Sequence, residues 1–250
     1  MSCEYEMGTG KEKLPEILPK HLVFIPDGNR RWAEEHYLPA IEGHRRGVAA
    51  VKDLMLCAQN WGIETMTVWG FSMENWERES REVRGLMSLF SMFLDDNLDE
   101  INQRGAKFCW FGNREDQRIP RHLRRKLEQA EELTLGNSTY NFNIALNYSS
   151  RDEIVRAVKK MIDLGRVPRQ ICWGAVANML DTAGLPDPDL IIRTGEREDE
   201  GETRHTSGLF ALQGPYARWY FTSTLCPDFS QDELKKALWE FSKASPRLGK

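Results

Sequence analysis

The sequence predicts an α/β fold: an open, mostly parallel six-stranded sheet flanked by about seven helices. Three observations lead there. From His21 onward, short runs rich in β-formers alternate with longer segments of helical period, the pattern of a parallel sheet covered by helices. Six such runs are too few for an eight-stranded barrel, and no internal repeat is present. A chain of 250 residues that is 40% hydrophobic can bury one sizeable core, so a single domain is expected over residues 21–250.

The elements follow in order. Residues 1–20 mix Glu4, Glu6, Lys11 and Lys13 with Gly8 and Gly10 and lack the apolar stretch of a secretory signal, so a flexible tail is expected. The first strand falls at 22–25. Val48, Val51, Met55 and Ala58 then recur at spacings of three and four on one helical face, and Gly62 marks a stop. After a strand at 65–71, Val83, Leu86, Met87, Phe90, Leu94, Leu98 and Ile101 form one stripe that runs to Gly105, long enough to invite a kink. A strand at 107–111 precedes a helix over 120–133 built on Leu123, Leu127 and Ala130. A strand at 140–147 leads into a helix over 152–164 with Ile154, Val155, Val158 and Ile162, and a further helix over 172–180. Strands at 190–193 and 217–222 and a helix over 231–241, carrying Leu234, Leu238 and Phe241, complete the series.

One segment breaks the pattern. Glu196, Glu198, Asp199, Glu200 and Glu202 crowd into 194–207 with Arg197, Arg204 and His205, a density of charge that excludes core packing. A solvated loop is expected directly after a strand, where open α/β sheets place ligands.

Composition excludes several function classes. Thirty-four basic against 38 acidic residues give a net charge of −4, so non-specific attraction to nucleic acid phosphates is not expected, though a local basic pocket is compatible. No apolar run approaches the roughly 20 residues that span a bilayer, which leaves at most peripheral membrane contact. The five cysteines (Cys3, Cys57, Cys109, Cys172 and Cys226) are scattered and show no metal-binding spacing, as expected of reduced thiols in the cytoplasm. Phosphate loops of the G-x-x-x-x-G-K-[ST] type, G-x-G-x-x-G fingerprints, G-x-S-x-G elbows and H-E-x-x-H helices are all lacking.

The first strand runs into Ile25-Pro26-Asp27-Gly28-Asn29-Arg30-Arg31-Trp32. Gly28 lets the backbone approach a ligand, free amides at the next helix start can face an anion, and Arg31 can grip phosphate oxygens with its planar fork. Asp27 is then anomalous unless a cation bridges it to the phosphate. Mg²⁺ does this through one or two carboxylates plus substrate oxygens. The bland alternative is an Asp-Gly turn whose Asp caps a helix. His44 lies at the start of the second helix, where it can donate to a phosphate or simply pack. The second strand leads into Phe71-Ser72-Met73-Glu74-Asn75-Trp76-Glu77-Arg78, which sets polar Ser72, Asn75 and Arg78 beside apolar Phe71 and Trp76. That combination suits a ligand with a greasy body and a charged head.

These residues resemble the cis-prenyltransferase family, that of undecaprenyl diphosphate synthase. The likeness runs from His21 to Leu248. Besides the two segments just quoted it includes Gly43-His44-Arg45-Arg46-Gly47, Asn143-Ile144-Ala145-Leu146-Asn147-Tyr148, Pro188-Asp189-Leu190-Ile191-Ile192-Arg193-Thr194-Gly195 and Pro227-Asp228-Phe229. The resemblance implies a Mg²⁺-dependent homodimer that condenses isopentenyl diphosphate with an allylic prenyl diphosphate, forming a Z double bond in a hydrophobic tunnel. It implies that Asp27 holds metal and diphosphate, and that Gly28, Asn29, Arg30, Arg31 and His44 surround the allylic diphosphate. Ser72 and Asn75, with Phe71, Trp76 and Arg78, match residues near the condensing carbons. Arg193, Arg204, His205 and Ser207 match the isopentenyl diphosphate site.

Several positions depart from the family pattern. Residues are inserted after Arg193-Thr194-Gly195-Glu196, so either Arg204 or His205 takes the place of the family's second Arg. Arg218 stands where the family carries a metal-binding Glu, Ala40 replaces a diphosphate-binding Arg, Pro26 replaces Met, and Arg30 replaces Gly. Glu200 or Glu202 could substitute for the lost carboxylate. Trp69 and Phe142 lie on strands that would line the expected tunnel, where their bulk implies a short or medium product; the alternative is that both pack in ordinary core. The departures keep two alternatives open: an irregular, branching or cyclising prenyl diphosphate enzyme, and a non-catalytic subunit of a prenyltransferase.

Overall fold

The computed structural model describes residues 14–197 and 208–243. Within them, β1 (His21–Ile25), β2 (Thr65–Ser72), β3 (Ala106–Phe111), β4 (Tyr140–Tyr148), β5 (Leu190–Arg193) and β6 (Arg218–Phe221) form one sheet in the order β3-β4-β2-β1-β5-β6. Every neighbouring pair is parallel, so the expected mostly parallel sheet is wholly so. The helices are α1 (Asn29–Glu35), α2 (Ala40–Asn60), α3 (Ser80–Gln103), α4 (Arg121–Leu133), α5 (Ser150–Asp163), α6 (Trp173–Ala177) and α7 (Gln231–Lys243).

The inner strands are buried on both faces, as parallel sheets require, while the edge strand β6 is only half-buried. Along β1, Leu22 and Phe24 enter a large core with Leu54 of α2, Leu86 and Leu94 of α3, Leu127 of α4 and Leu238 of α7. Val23 and Ile25 point the other way, into a smaller cluster with Phe111, Ala145, Tyr148, Ile191, Leu209 and Phe210. The long stripe after β2 forms one uninterrupted α3, because its apolar residues already keep a single face turned to the sheet. The helix expected over 172–180 is shorter, since the Asn178 to Gly184 stretch is spent on turns.

The expected loose tail does not extend through residues 14–20. Leu14 and Leu18 pack against the large core, Pro15 and Pro19 are buried, and the backbone amides of Lys20 and His21 donate to Asp189 Oδ2 at 2.8 and 2.9 Å. Among the described residues no helix is long and apolar enough to cross a membrane.

The strand order positions the site. From β1 the chain adds β2, places β3 at the edge and inserts β4 between them, then returns to pair β5 on the other side of β1. The carboxyl ends of β1 and β5 therefore lie together at a reversal of strand order, where α/β sheets open a crevice.

Candidate active site

Asp27 follows β1 and Arg193 closes β5, and the two meet at that crevice. Arg193 Nη2 donates to Asp27 Oδ2 at 3.0 Å, and the Gly28 amide donates to Oδ1 at 2.6 Å. Thr194 anchors the same turn: its hydroxyl accepts from the Asp27 amide at 2.9 Å and donates to the Asp27 carbonyl at 2.8 Å. Gly28 makes the turn possible. Its φ of 96° is left-handed, and a Cβ there would sit 2.7 Å from Leu225 Cδ2.

The residues after Gly28 divide into braces and cations. Asn29 braces: its Nδ2 donates to the Pro26 carbonyl at 2.9 Å, while Oδ1 turns inward against Gly47, where any Cβ would come within 2.1 Å of it. Arg31 donates to the Gly195 carbonyl, tying the first turn to the β5 loop. Arg30 is exposed and reaches toward Glu82 of α3 at 4.0 Å.

Glu82, which the sequence did not single out, is the acidic hub of the site. It accepts from Arg78 at 2.9 Å and lies 3.3 Å from His44 Nε2, with its own side chain only 12% exposed. Burial lowers the pKa of His44, and the hydrogen bond to Glu82 opposes that shift. The Arg78–Glu82 spacing of four was readable from the chain, but the approach of His44 from α2 depends on how the helices cross.

Ser72 and Asn75 form a tight turn at the end of β2, in which Asn75 Oδ1 accepts from the Ser72 amide at 3.0 Å. The Asn75 Nδ2 group stays without a protein partner among the described residues. Phe71 and Trp76 take other positions. Phe71 is buried core, and the Trp76 ring meets it edge-on at 4.8 Å while its Nε1 donates to Asn147 Oδ1 at 2.7 Å. Neither borders the main cavity.

That cavity encloses about 370 Å³ and has two characters. Its mouth carries Asp27, Asn29, His44, Ser72, Asn75, Arg78 and Arg193; its depth is walled by Val48, Val51, Leu86, Leu89, Phe90, Phe93 and Phe142. A polar basin of about 360 Å³ adjoins it, lined by Arg30, Arg31, Glu34 and Arg197 and sharing Asp27, Asn29, His44 and Arg78 with the mouth. The sequence pointed to the cations, whereas the walls from α2 and α3 could not be separated from ordinary core. Phe142 faces the cavity next to Phe93, with ring centroids 6.0 Å apart. Trp69 also borders the cavity, while it packs against the cluster on the opposite face of the sheet.

Arg218 also differs from expectation. Its guanidinium donates to the Phe241 carbonyl and stacks over the Phe241 ring at 4.9 Å, so it fastens β6 to α7. Arg204, His205, Ser207, Glu200 and Glu202 lie outside the described residues. Among the described residues no group of three or more His, Cys, Asp or Glu is arranged to hold a metal ion. Asp27 alone, with a side chain 43% exposed beside a cationic basin, fits the Mg²⁺ mode in which one carboxylate is completed by phosphate oxygens and water.

The comparisons agree with this geometry. Residues 25–249 match the family described as putative undecaprenyl diphosphate synthase. A ditrans,polycis-undecaprenyl-diphosphate synthase of Legionella pneumophila is 37% identical over 236 residues, covering 93% of this chain and 96% of that protein. An isoprenyl transferase of Streptococcus mutans is 38% identical over 245 residues, covering 95% of each. The structure of lavandulyl diphosphate synthase from Lavandula x intermedia superposes with a TM-score of 0.86 at 30% identity, covering 93% of this chain and 99% of that one. A probable undecaprenyl diphosphate synthase from Campylobacter jejuni gives 0.75 at 27% identity over the same shares. A match of such length, carried by a sheet whose strand ends bring Asp27 and Arg193 together, means that this chain belongs to the undecaprenyl diphosphate synthase family of prenyltransferases.

Proposed function

We propose that the protein is a Mg²⁺-dependent cis-prenyltransferase that condenses isopentenyl diphosphate with an allylic diphosphate to give a Z-prenyl diphosphate of short or medium length. One observation carries the reading: a cationic basin opens into an apolar cavity through shared residues Asp27, Asn29, His44 and Arg78. A diphosphate head and a hydrocarbon body need that combination.

In this reading Arg30, Arg31 and His44 receive the allylic diphosphate. Ionisation leaves negative charge on the departing group, and preorganised guanidinium groups lower that barrier. Mg²⁺ bound at Asp27 would add its charge to the same oxygens. The walls from Val48, Leu86 and Phe90 exclude water from the allylic cation. Arg193, with Arg204, His205 and Ser207, holds the second diphosphate. Asn75 has its carbonyl oxygen engaged by the Ser72 amide, so it is placed to donate from Nδ2 rather than to take a proton. The released diphosphate is then the proton acceptor when the new double bond forms.

A volume of about 370 Å³ stands at the low end of the roughly 300–1,000 Å³ of small-molecule sites. With Phe90, Phe93 and Phe142 in its depth, it supports a short or medium product. Homodimer formation is supported by α5, whose exposed Val155, Val158 and Ile162 form an apolar stripe behind its buried Ala157 and Met161. The free thiols of Cys109, Cys172 and Cys226 support a cytoplasmic setting.

The test is an assay of the purified protein with labelled isopentenyl diphosphate, Mg²⁺ and allylic primers of several lengths, read by product chromatography. A metal-dependent series of elongated Z-prenyl diphosphates is expected. Binding without turnover under any divalent metal would overturn the reading in favour of a non-catalytic subunit. A second reading, irregular coupling, is favoured by the 0.86 TM-score to lavandulyl diphosphate synthase; branched or cyclic products without an elongation series would establish it.

A further inference from the structure

The function proposed above gives no task to Asn147, near the carboxyl end of β4. Its backbone is irregular in two ways. Leu146 pairs with Phe71 and Tyr148 with Ser72, so Asn147 has no partner residue on β2 and forms a bulge beside the start of the turn at 72–78. Its φ of 54° is left-handed, a conformation that a residue other than glycine keeps only where its surroundings hold it.

The side chain supplies that hold. It is fully buried, and its amide group is engaged throughout: Oδ1 accepts from Trp76 Nε1 at 2.7 Å, while Nδ2 donates to the Asn113 carbonyl at 3.0 Å and to Asp116 Oδ2 at 3.1 Å. The Asn113 amide returns a bond to the Asn147 carbonyl at 3.0 Å. The loop after β3 comes this close because Gly112 lacks a Cβ, which would sit 2.0 Å from the Leu146 carbonyl oxygen. Asp116 in turn pairs with Arg118 at 2.6 Å, a contact that holds its carboxyl below the usual range, and the Arg118 guanidinium stacks on the Trp76 ring at 4.9 Å. The contacts close a circuit from Trp76 through Asn147, Asp116 and Arg118 back to Trp76. Trp76 stands between Asn75 and Arg78, which the same turn presents to the cavity mouth.

We propose that Asn147 is a positioning residue for prenyl transfer: it grips the Trp76 indole and so fixes the turn that carries Ser72, Asn75 and Arg78 at the reacting carbons. The inference rests on the function proposed above. Neither Asn147 nor Trp76 lines the main cavity or the basin, so their effect passes through the turn and not through contact with substrate. Arg30, Arg31 and His44 of the basin lie off the turn, so loosening it costs rate more than affinity for the diphosphate head.

The experiment follows amide hydrogen exchange at residues 72–78 alongside steady-state kinetics of the full chain. Trp76→Phe removes the indole donor and keeps an aromatic ring; Asn147→Gly keeps the left-handed backbone and removes the side chain. Each is expected to speed exchange at 72–78 by about tenfold and to lower kcat by about tenfold, with KM for the allylic diphosphate changed by less than about twofold. The double variant should be no worse than Asn147→Gly, because both changes break the same bond. Leu238→Ala, a core change in α7, should lower Tm and leave kcat and exchange at 72–78 unaltered. Circular dichroism checks folding, and Trp76→Phe alone decides if Asn147→Gly does not fold. Unaltered exchange at 72–78, additive losses in the double variant, a fall in affinity as large as the fall in rate, or the same changes in Leu238→Ala would overturn the proposal. A folded wild type without prenyl transfer would instead overturn the proposed function, and exchange at 72–78 in the variants would still decide whether the circuit holds the turn.

Discussion

Two carboxylates organise the cations of the site, and they do so differently. Asp27 faces the basin and pairs with Arg193, while Glu82 is nearly enclosed and gathers Arg78, His44 and, more distantly, Arg30. In the proposed reaction the more exposed acid, Asp27, is the one that would share a metal with substrate. Because charge develops on the diphosphate only as the carbon–oxygen bond breaks, Asp27→Ala is expected to lower kcat by about 10²–10³-fold, with a much smaller change in affinity for the allylic diphosphate. Steady-state kinetics set against direct binding measures the split; equal losses in both would contradict the role.

The elements contribute walls and fastenings. Phe90 of α3 lies over Gly70 of β2, where an added Cβ would be 2.7 Å from its ring, and it occupies the cavity beside Phe142. Phe90→Ala should lengthen the product distribution by opening that space, read by chromatography of the prenyl products; an unchanged distribution would show that another residue forms the end wall. Arg218 is the fastening of β6 to α7. Arg218→Ala is expected to cost about 1–3 kcal/mol through the lost hydrogen bond and stacking, seen as a fall in Tm, with Mg²⁺ dependence unaltered. A shift in the metal titration with no loss of Tm would restore the metal role suggested by its sequence position.

At the scale of the whole molecule, stability is tied to pH through buried histidines. His21 is 1% exposed; its Nδ1–H donates to the Pro186 carbonyl at 2.7 Å, so Nε2 accepts from the Thr67 hydroxyl at 2.8 Å. Desolvation lowers its pKa from 6.5 to about 4, opposed by the Pro186 bond and Asp189, and His44 shifts in the same direction. The unfolded chain therefore binds the proton more readily, and stability present at neutral pH is lost as pH falls below about 6.5 toward 4. His21 alone accounts for on the order of 3 kcal/mol of that loss. Denaturant unfolding at a series of pH values should show the decline, and His21→Gln should flatten it; parallel curves would rule the histidine out. Assembly belongs to this scale too. Ile162, 69% exposed on the apolar stripe of α5, is expected to lie in a dimer contact, so Ile162→Glu should give a monomer by light scattering. A wild-type monomer, or a variant that stays dimeric, would place the contact elsewhere or remove it.

The order of strands and helices, the Asp27–Gly28 turn and the cationic character of the site were legible in the chain because each depends on local pattern: strand-like runs, helical stripes, turn residues and charged groups close in sequence. What the chain did not reveal lies between elements. That Glu82 meets His44, that Phe90 joins the wall of the cavity, and that Arg218 turns to Phe241 were decided by helix crossing and by which face of a strand looks where. Sequence by itself determined the kind of sheet and the chemistry at its carboxyl edge. Tertiary structure decided which apolar residues are wall and which are core, because a hydrophobic side chain looks the same in the chain whether its neighbour is another side chain or a cavity.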